Sequence, residues 1–168
     1  MPDVKGLYGL QNNGIMVSLS NVYAKFGEVA EAVQLLETEL GNILLSVSIA
    51  EHDLVNKRDL ALARKIFSDV DKKTLGQLIR AAQAKVPAPE NLEELLEHAL
   101  HERNRLNHRF YRQHNFRRNT AEGRAVMLQD LQHIHDKILN AYKALMLFNG
   151  VDLDNVAPFD FPTGHLPL

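Results

Sequence analysis

Three side chains able to act on an anionic substrate stand within one short run, Arg103-Asn104-Arg105-Leu106-Asn107-His108. They are Arg103, Asn104 and His108. A histidine with a pKa near ~6.5 can move a proton at neutral pH. A guanidinium presents a fork of donors suited to the oxygens of a phosphoryl group, and an amide can orient either partner. On a helical wheel with Arg103 at zero, Asn107 falls near ~40°, Tyr111 near ~80°, Asn104 near ~100° and His108 near ~140°. The apolar stripe of Leu92, Leu95, Ala99, Leu106 and Phe110 lies beside Arg103. An arginine at that edge must find a carboxylate, carbonyl groups or a bound anion, because burying an unpaired guanidinium is prohibitive.

A plainer explanation fits the same residues. Glutamates are concentrated at 90–102 and arginines at 103–118, as the helix macrodipole favours without any chemistry. The basic run is nevertheless dense. Arg103, Arg105, Arg109, Arg112, Arg117 and Arg118 occur with no intervening Asp or Glu, and Phe110, Tyr111 and Phe116 are interleaved. Arg105, Asn107, Arg109, Tyr111 and Arg112 are therefore candidate contacts to RNA or a nucleotide, the arginines for phosphates and the aromatic rings for unpaired bases. The alternative is a solvated basic face with the phenylalanines as core or loop anchors.

Other chemistries find less support. His98 and His101 are three apart, and His133 and His135 are two apart with Asp130 close by. A di-metal carboxylate bundle needs Glu-x-x-His on two helices, and that motif does not occur. Neither a metal nor an organic cofactor is expected. Nucleophile motifs, glycine-rich phosphate loops and dinucleotide fingerprints do not occur.

The run Glu102-Arg103-Asn104-Arg105-Leu106-Asn107-His108-Arg109-Phe110 resembles the signature of the HEPN superfamily: an arginine, a polar residue such as Asn, and a histidine after four to six intervening positions. Here four residues separate Arg103 from His108. The resemblance implies a helical bundle over residues 20–148 and a homodimer whose two motifs face each other across a cleft. Many such proteins are metal-independent endoribonucleases acting as toxins or in defence. His108 would then be the acid or base, Arg103 the electrostatic stabiliser and Asn104 the positioning group. Other members are non-catalytic modules that bind a nucleotide, a nucleic acid or a partner protein. One branch is controlled through a tyrosine two residues after the histidine, where this chain has Phe110. That control is not carried over, and no cognate antitoxin is identifiable. A helical interaction protein with no anion site is the third reading.

The elements that must position these residues are helical. Val22, Phe26, Val29, Val33, Leu36, Leu40, Ile43 and Val47 alternate spacings of four and three, which predicts a helix from about Ser20 to Ala50. Gly27 and Gly41 each cost it about 1 kcal/mol relative to Ala and mark candidate close approaches of a neighbour. Residues 51–70 predict a second helix, kinked away from the first, with its apolar pattern interrupted at Asn56-Lys57-Arg58-Asp59. Thr74 and Gln77 form a capping box for a short helix over 75–85, closed by Pro87 and Pro89. The seam resumes at Leu92, Leu96, Ala99, Arg103, Leu106 and Phe110. After Asn119-Thr120 it continues through Met127, Leu131, Ile134, Ile138, Ala141, Leu145 and Phe148, ending at Asn149-Gly150.

The expected fold is all-α, an up-and-down bundle of four to five helices. Residues 1–19 form an irregular lead-in, and 149–168 a C-terminal arm containing Pro158, Phe159, Phe161, Pro162 and Pro167. With 168 residues, 45% of them hydrophobic, and a net charge of −2, the chain can bury a real core and is not a polycation overall. It has no cysteine and no apolar run of membrane-spanning length, and its N-terminus lacks the pattern of a signal peptide. No membrane partner and a cytoplasmic location are therefore expected.

Overall fold

The computed structural model describes residues 17–155, and all its regular structure is helical. The helices are α1 (Leu19–Glu51), α2 (Leu54–Lys57), α3 (Leu60–Asp71), α4 (Leu75–Lys85), α5 (Glu90–His108), α6 (Phe110–Gln113) and α7 (Ala121–Phe148). A 3₁₀ turn, Arg117–Asn119, precedes α7. Most of the lead-in and the proline-bearing part of the arm lie outside the described residues.

Contacts along the helices fix their directions. Arg124 donates to the Val17 carbonyl, Lys25 meets His135 at 3.3 Å and Asn149 donates to Glu39 at 2.6 Å. Those pairs advance together, so α1 and α7 run parallel. Leu92 and Leu96, early in α5, lie with Leu145 and Phe148, late in α7, around one small apolar gap. Those two helices are antiparallel. An added Cβ at Gly41 would meet Val70 at 3.5 Å, while Leu45 and Ile49 lie beside Ala63 and Ile66, so α3 runs back along α1. Lys85 pairs with Glu51, which sets α4 parallel to α1. The five longer helices thus alternate in direction along the chain.

The core follows most of the seam read from sequence, although Val47 and Arg103 are only half-buried and Phe148 is exposed. Val22, Val29, Leu36 and Leu40 of α1 pack with Leu92, Leu96, Ala99 and Leu106 of α5. Met127, Leu131, Ile134, Ile138, Ala141 and Leu145 of α7 complete it, each at 0–2% exposure. Such burial of a Leu, Ile or Met side chain contributes about 1.5–3 kcal/mol. Gly41 is buried against α3 as expected, whereas Gly27 faces open space and admits no neighbour.

Local chemistry sets the boundaries. Ser18 caps α1 in a reciprocal box with Asn21, and Gln77 accepts from the Thr74 amide at 2.9 Å. The expected kink after residue 51 is a full interruption. Asp53 and Arg58 both adopt left-handed backbone, φ 51°, and Asp59 restarts the chain by capping Leu62 at 3.0 Å. The end of α7 is a Schellman motif. Gly150, at φ 84°, donates to Leu147, and Val151 donates to Met146.

Candidate functional site

Arg103, Asn104, Asn107 and His108 all belong to the last two turns of α5, and the helix runs unbroken through them. It breaks one residue later. Arg109 leaves helical geometry at φ −128°, and the single turn of α6 begins at Phe110. The break falls after the histidine, so it does not swing His108 round towards Arg103. Their separation on the wheel stays about 140°.

Arg103 finds the carboxylate that its seam position demanded. Its Nη2 donates to Glu37 Oε1 on α1 at 3.1 Å, and its Nη1 donates to Asn104 Oδ1 at 3.3 Å. Its Nε is buried with no hydrogen-bond partner among the described residues. His108 is exposed at the helix end, and its ring makes no hydrogen bond among the described residues. Asn104, Asn107, Arg109 and Arg112 are also exposed.

The aromatic residues divide sharply. Phe110 has 0% exposure and is a core anchor, so it is not available to stack on a base. Tyr111 stacks on Phe26 at 5.5 Å between ring centres and meets Phe110 edge-on at 5.2 Å, with its other face partly open. Burial beside Tyr23 raises its phenol pKa, partly opposed by Arg118. Phe116 is 80% exposed.

Arg105 is the most heavily engaged of the expected RNA contacts. Its Nε donates to Glu102 at 2.7 Å, and its two Nη atoms grip Asp130 of α7 at 2.8 and 2.9 Å. This bidentate pairing raises its pKa, outweighing the cost of burial, so the guanidinium stays charged. Burial pushes the Asp130 carboxyl up, but hydrogen bonds from Arg105 and His114 outweigh that and leave it below the usual range. Asp130 therefore spends its oxygens on α5 and His114, and is not set aside for a metal with His133. Among the described residues, no cluster of three or more His, Asp or Glu side chains could hold a metal ion.

His114 is the residue that sequence reasoning missed. It is 3% exposed, the sole polar side chain among the buried residues described. Its Nε2 lies 2.7 Å from Asp130 Oδ2, and its Nδ1 lies 3.0 Å from Arg117 Nη1. Arginine can only donate, so Nδ1 accepts and Nε2 carries the hydrogen towards Asp130. The ring is thus assigned as the neutral tautomer, and its contact with Asp130 is a hydrogen bond rather than an ion pair. The signal was available: positions 106, 110 and 114 continue the buried stripe at helical spacing, and a histidine there needs partners. Arg105, Gln113, His114, Arg117, Val126, Gln129, Asp130 and His133 line one open groove of about 640 Å³.

Comparison of the chain with protein-family models, with curated proteins and with solved structures gave no match. No helix among the described residues is long and apolar enough to cross a membrane.

Proposed function

We propose that the chain is a HEPN-like up-and-down bundle acting as a homodimeric, metal-independent endoribonuclease. The observation that carries this reading is the state of His108. It is exposed at the end of α5 and free of protein hydrogen bonds among the described residues, beside exposed Asn104, Asn107, Arg109 and Arg112. An imidazole so placed can take the proton of an RNA 2′-hydroxyl as it attacks the adjacent phosphorus, or protonate the departing 5′-oxygen. Arg103 stabilises the charge gathering on the phosphoryl oxygens, and Asn104, already hydrogen-bonded to it, orients it. The nucleophile belongs to the substrate, so no metal is required to generate one. Because α5 is unbroken between Arg103 and His108, the two face different directions. A site using both draws Arg103 from one protomer and His108 from its partner.

One observation favours a second reading, a non-catalytic HEPN-like dimer that binds a nucleotide, nucleic acid or partner protein. Glu37 already neutralises Arg103 at 3.1 Å. A phosphoryl group must compete with that carboxylate. The two readings part on an oligoribonucleotide carrying a single 2′-deoxy substitution at the mapped cleavage position. The enzyme leaves that bond intact, cutting the all-ribose control to a 2′,3′-cyclic phosphate and a 5′-hydroxyl. If neither oligonucleotide is cut although both bind, the second reading holds.

A further inference from the structure

We propose that the groove between the end of α5, the 3₁₀ turn and the first turns of α7 binds a phosphate group, received by Arg117. The site is separate from Arg103, Asn104 and His108, none of which lines it, and it does not depend on RNA cleavage. Its lining carries two arginines against one aspartate. The two arginines are not equivalent. Arg105 is consumed by Asp130 and Glu102. Arg117 has no carboxylate within salt-bridge distance among the described residues, and its hydrogen bond to His114 uses one of five N–H donors on a neutral ring nitrogen. A phosphate oxygen makes a stronger, charge-assisted bond than that nitrogen does. The side-chain amides of Gln113 and Gln129 and the imidazole of His133 supply further donors on the same walls.

The floor is built rather than incidental. Arg105, Asp130 and His114 form a continuous hydrogen-bonded chain at 2.7–2.9 Å, with His114 buried against Phe110 at 4.6 Å between rings. The turn carrying Arg117 is pressed against α7 at Gly123, where an added Cβ would sit 2.1 Å from the Arg117 carbonyl oxygen. Only glycine admits that approach. Arg117 is thus held over a rigid, charge-balanced base with most of its donors unspent.

The test is an isotope-detected NMR titration of the full chain, following the Gln113 and Gln129 side-chain amides and the arginine Nε–H signals. The probes are inorganic phosphate, adenosine 5′-monophosphate and a DNA hexamer, which lacks the 2′-hydroxyl needed for cleavage. Saturable shifts at Gln129 and Arg117 are expected, with affinity falling at least about tenfold in Arg117→Gln and recovering partly in Arg117→Lys. Arg64→Gln, on the exposed surface of α3 and outside the groove, is expected to change it less than about twofold. Gly123→Ala displaces the turn with the Arg117 side chain intact, and is expected to weaken binding likewise. Competition by the hexamer identifies a nucleic-acid phosphate as the ligand, and saturation by the small phosphates alone identifies a free nucleotide or phosphate. Equal losses in Arg117→Gln and Arg64→Gln, or no shift at Gln129 with any probe, overturn the proposal. Loss of RNA cleavage in His108→Ala with phosphate binding retained separates the two sites. Phosphate binding without any RNA cleavage retires the ribonuclease reading alone.

Discussion

Replacing Arg105 with Met keeps most of the aliphatic stem and removes the charge that joins α5 to α7. Four hydrogen bonds disappear, one to Glu102, two to Asp130 and a long one to Gln113 at 3.5 Å. Asp130 is left with His114, and Glu102 with an exposed His101 at 3.3 Å. Arg105 and Asp130 are 17% and 23% exposed, so the cost lies between two limits. Exposed pairs contribute about 0–1 kcal/mol, and removing one member of a fully buried pair costs about 3–5 kcal/mol. The expected loss is about 2–3 kcal/mol, which for a chain of this size lowers Tm by about 5–10 °C. Urea denaturation of the wild type, Arg105→Met, Asp130→Asn and the double variant measures both the loss and the coupling. A coupling near about 2 kcal/mol is expected. A single-variant cost below about 0.5 kcal/mol, or additivity within about 0.3 kcal/mol, would refute the clamp.

Three further outcomes follow from the same geometry. Asp130 has a lowered carboxyl pKa, so its contribution is complete above the unfolded value of about 4 and is lost as pH falls through the folded value; Asp130→Asn should flatten the stability profile below about pH 4, as read by denaturation at successive pH values. Phe110→Ala removes a fully buried ring from between Phe26, Tyr111 and His114 and should cost about 3–5 kcal/mol in chemical unfolding. Arg103→Ala and His108→Ala proteins, each inactive alone, should regain part of the RNA cleavage when co-refolded, because a mixed dimer rebuilds one complete site; no recovery despite demonstrated exchange of subunits would exclude the composite arrangement.

Much of the fold was legible because apolar spacing is a direct consequence of helical geometry. The seams from Val22 to Ile43 and from Met127 to Leu145 lie in the core or against it. The Thr74 cap and the Asn149-Gly150 stop also stand where their chemistry put them. The break at Arg109 was harder to read, since Phe110 keeps the seam spacing while the backbone departs at one residue. Spacing also could not separate Arg105 from its neighbours. Its partner Asp130 is far along the chain, and only the packing of α5 on α7 brings them together. Gly27 and Gly41 looked alike, and their opposite fates depend on where α3 returns. The candidate site was legible as a set of residue types at a spacing. Which arginines are spent on carboxylates and which remain available is a property of tertiary pairing.

The most direct measurement is RNA cleavage by the purified chain over a mixed RNA pool, with and without EDTA, beside His108→Ala. Cleavage that resists EDTA and disappears in His108→Ala is the expected result. Cleavage that persists in His108→Ala, that requires a divalent ion, or that is absent on every RNA offered would contradict a metal-independent ribonuclease centred on His108.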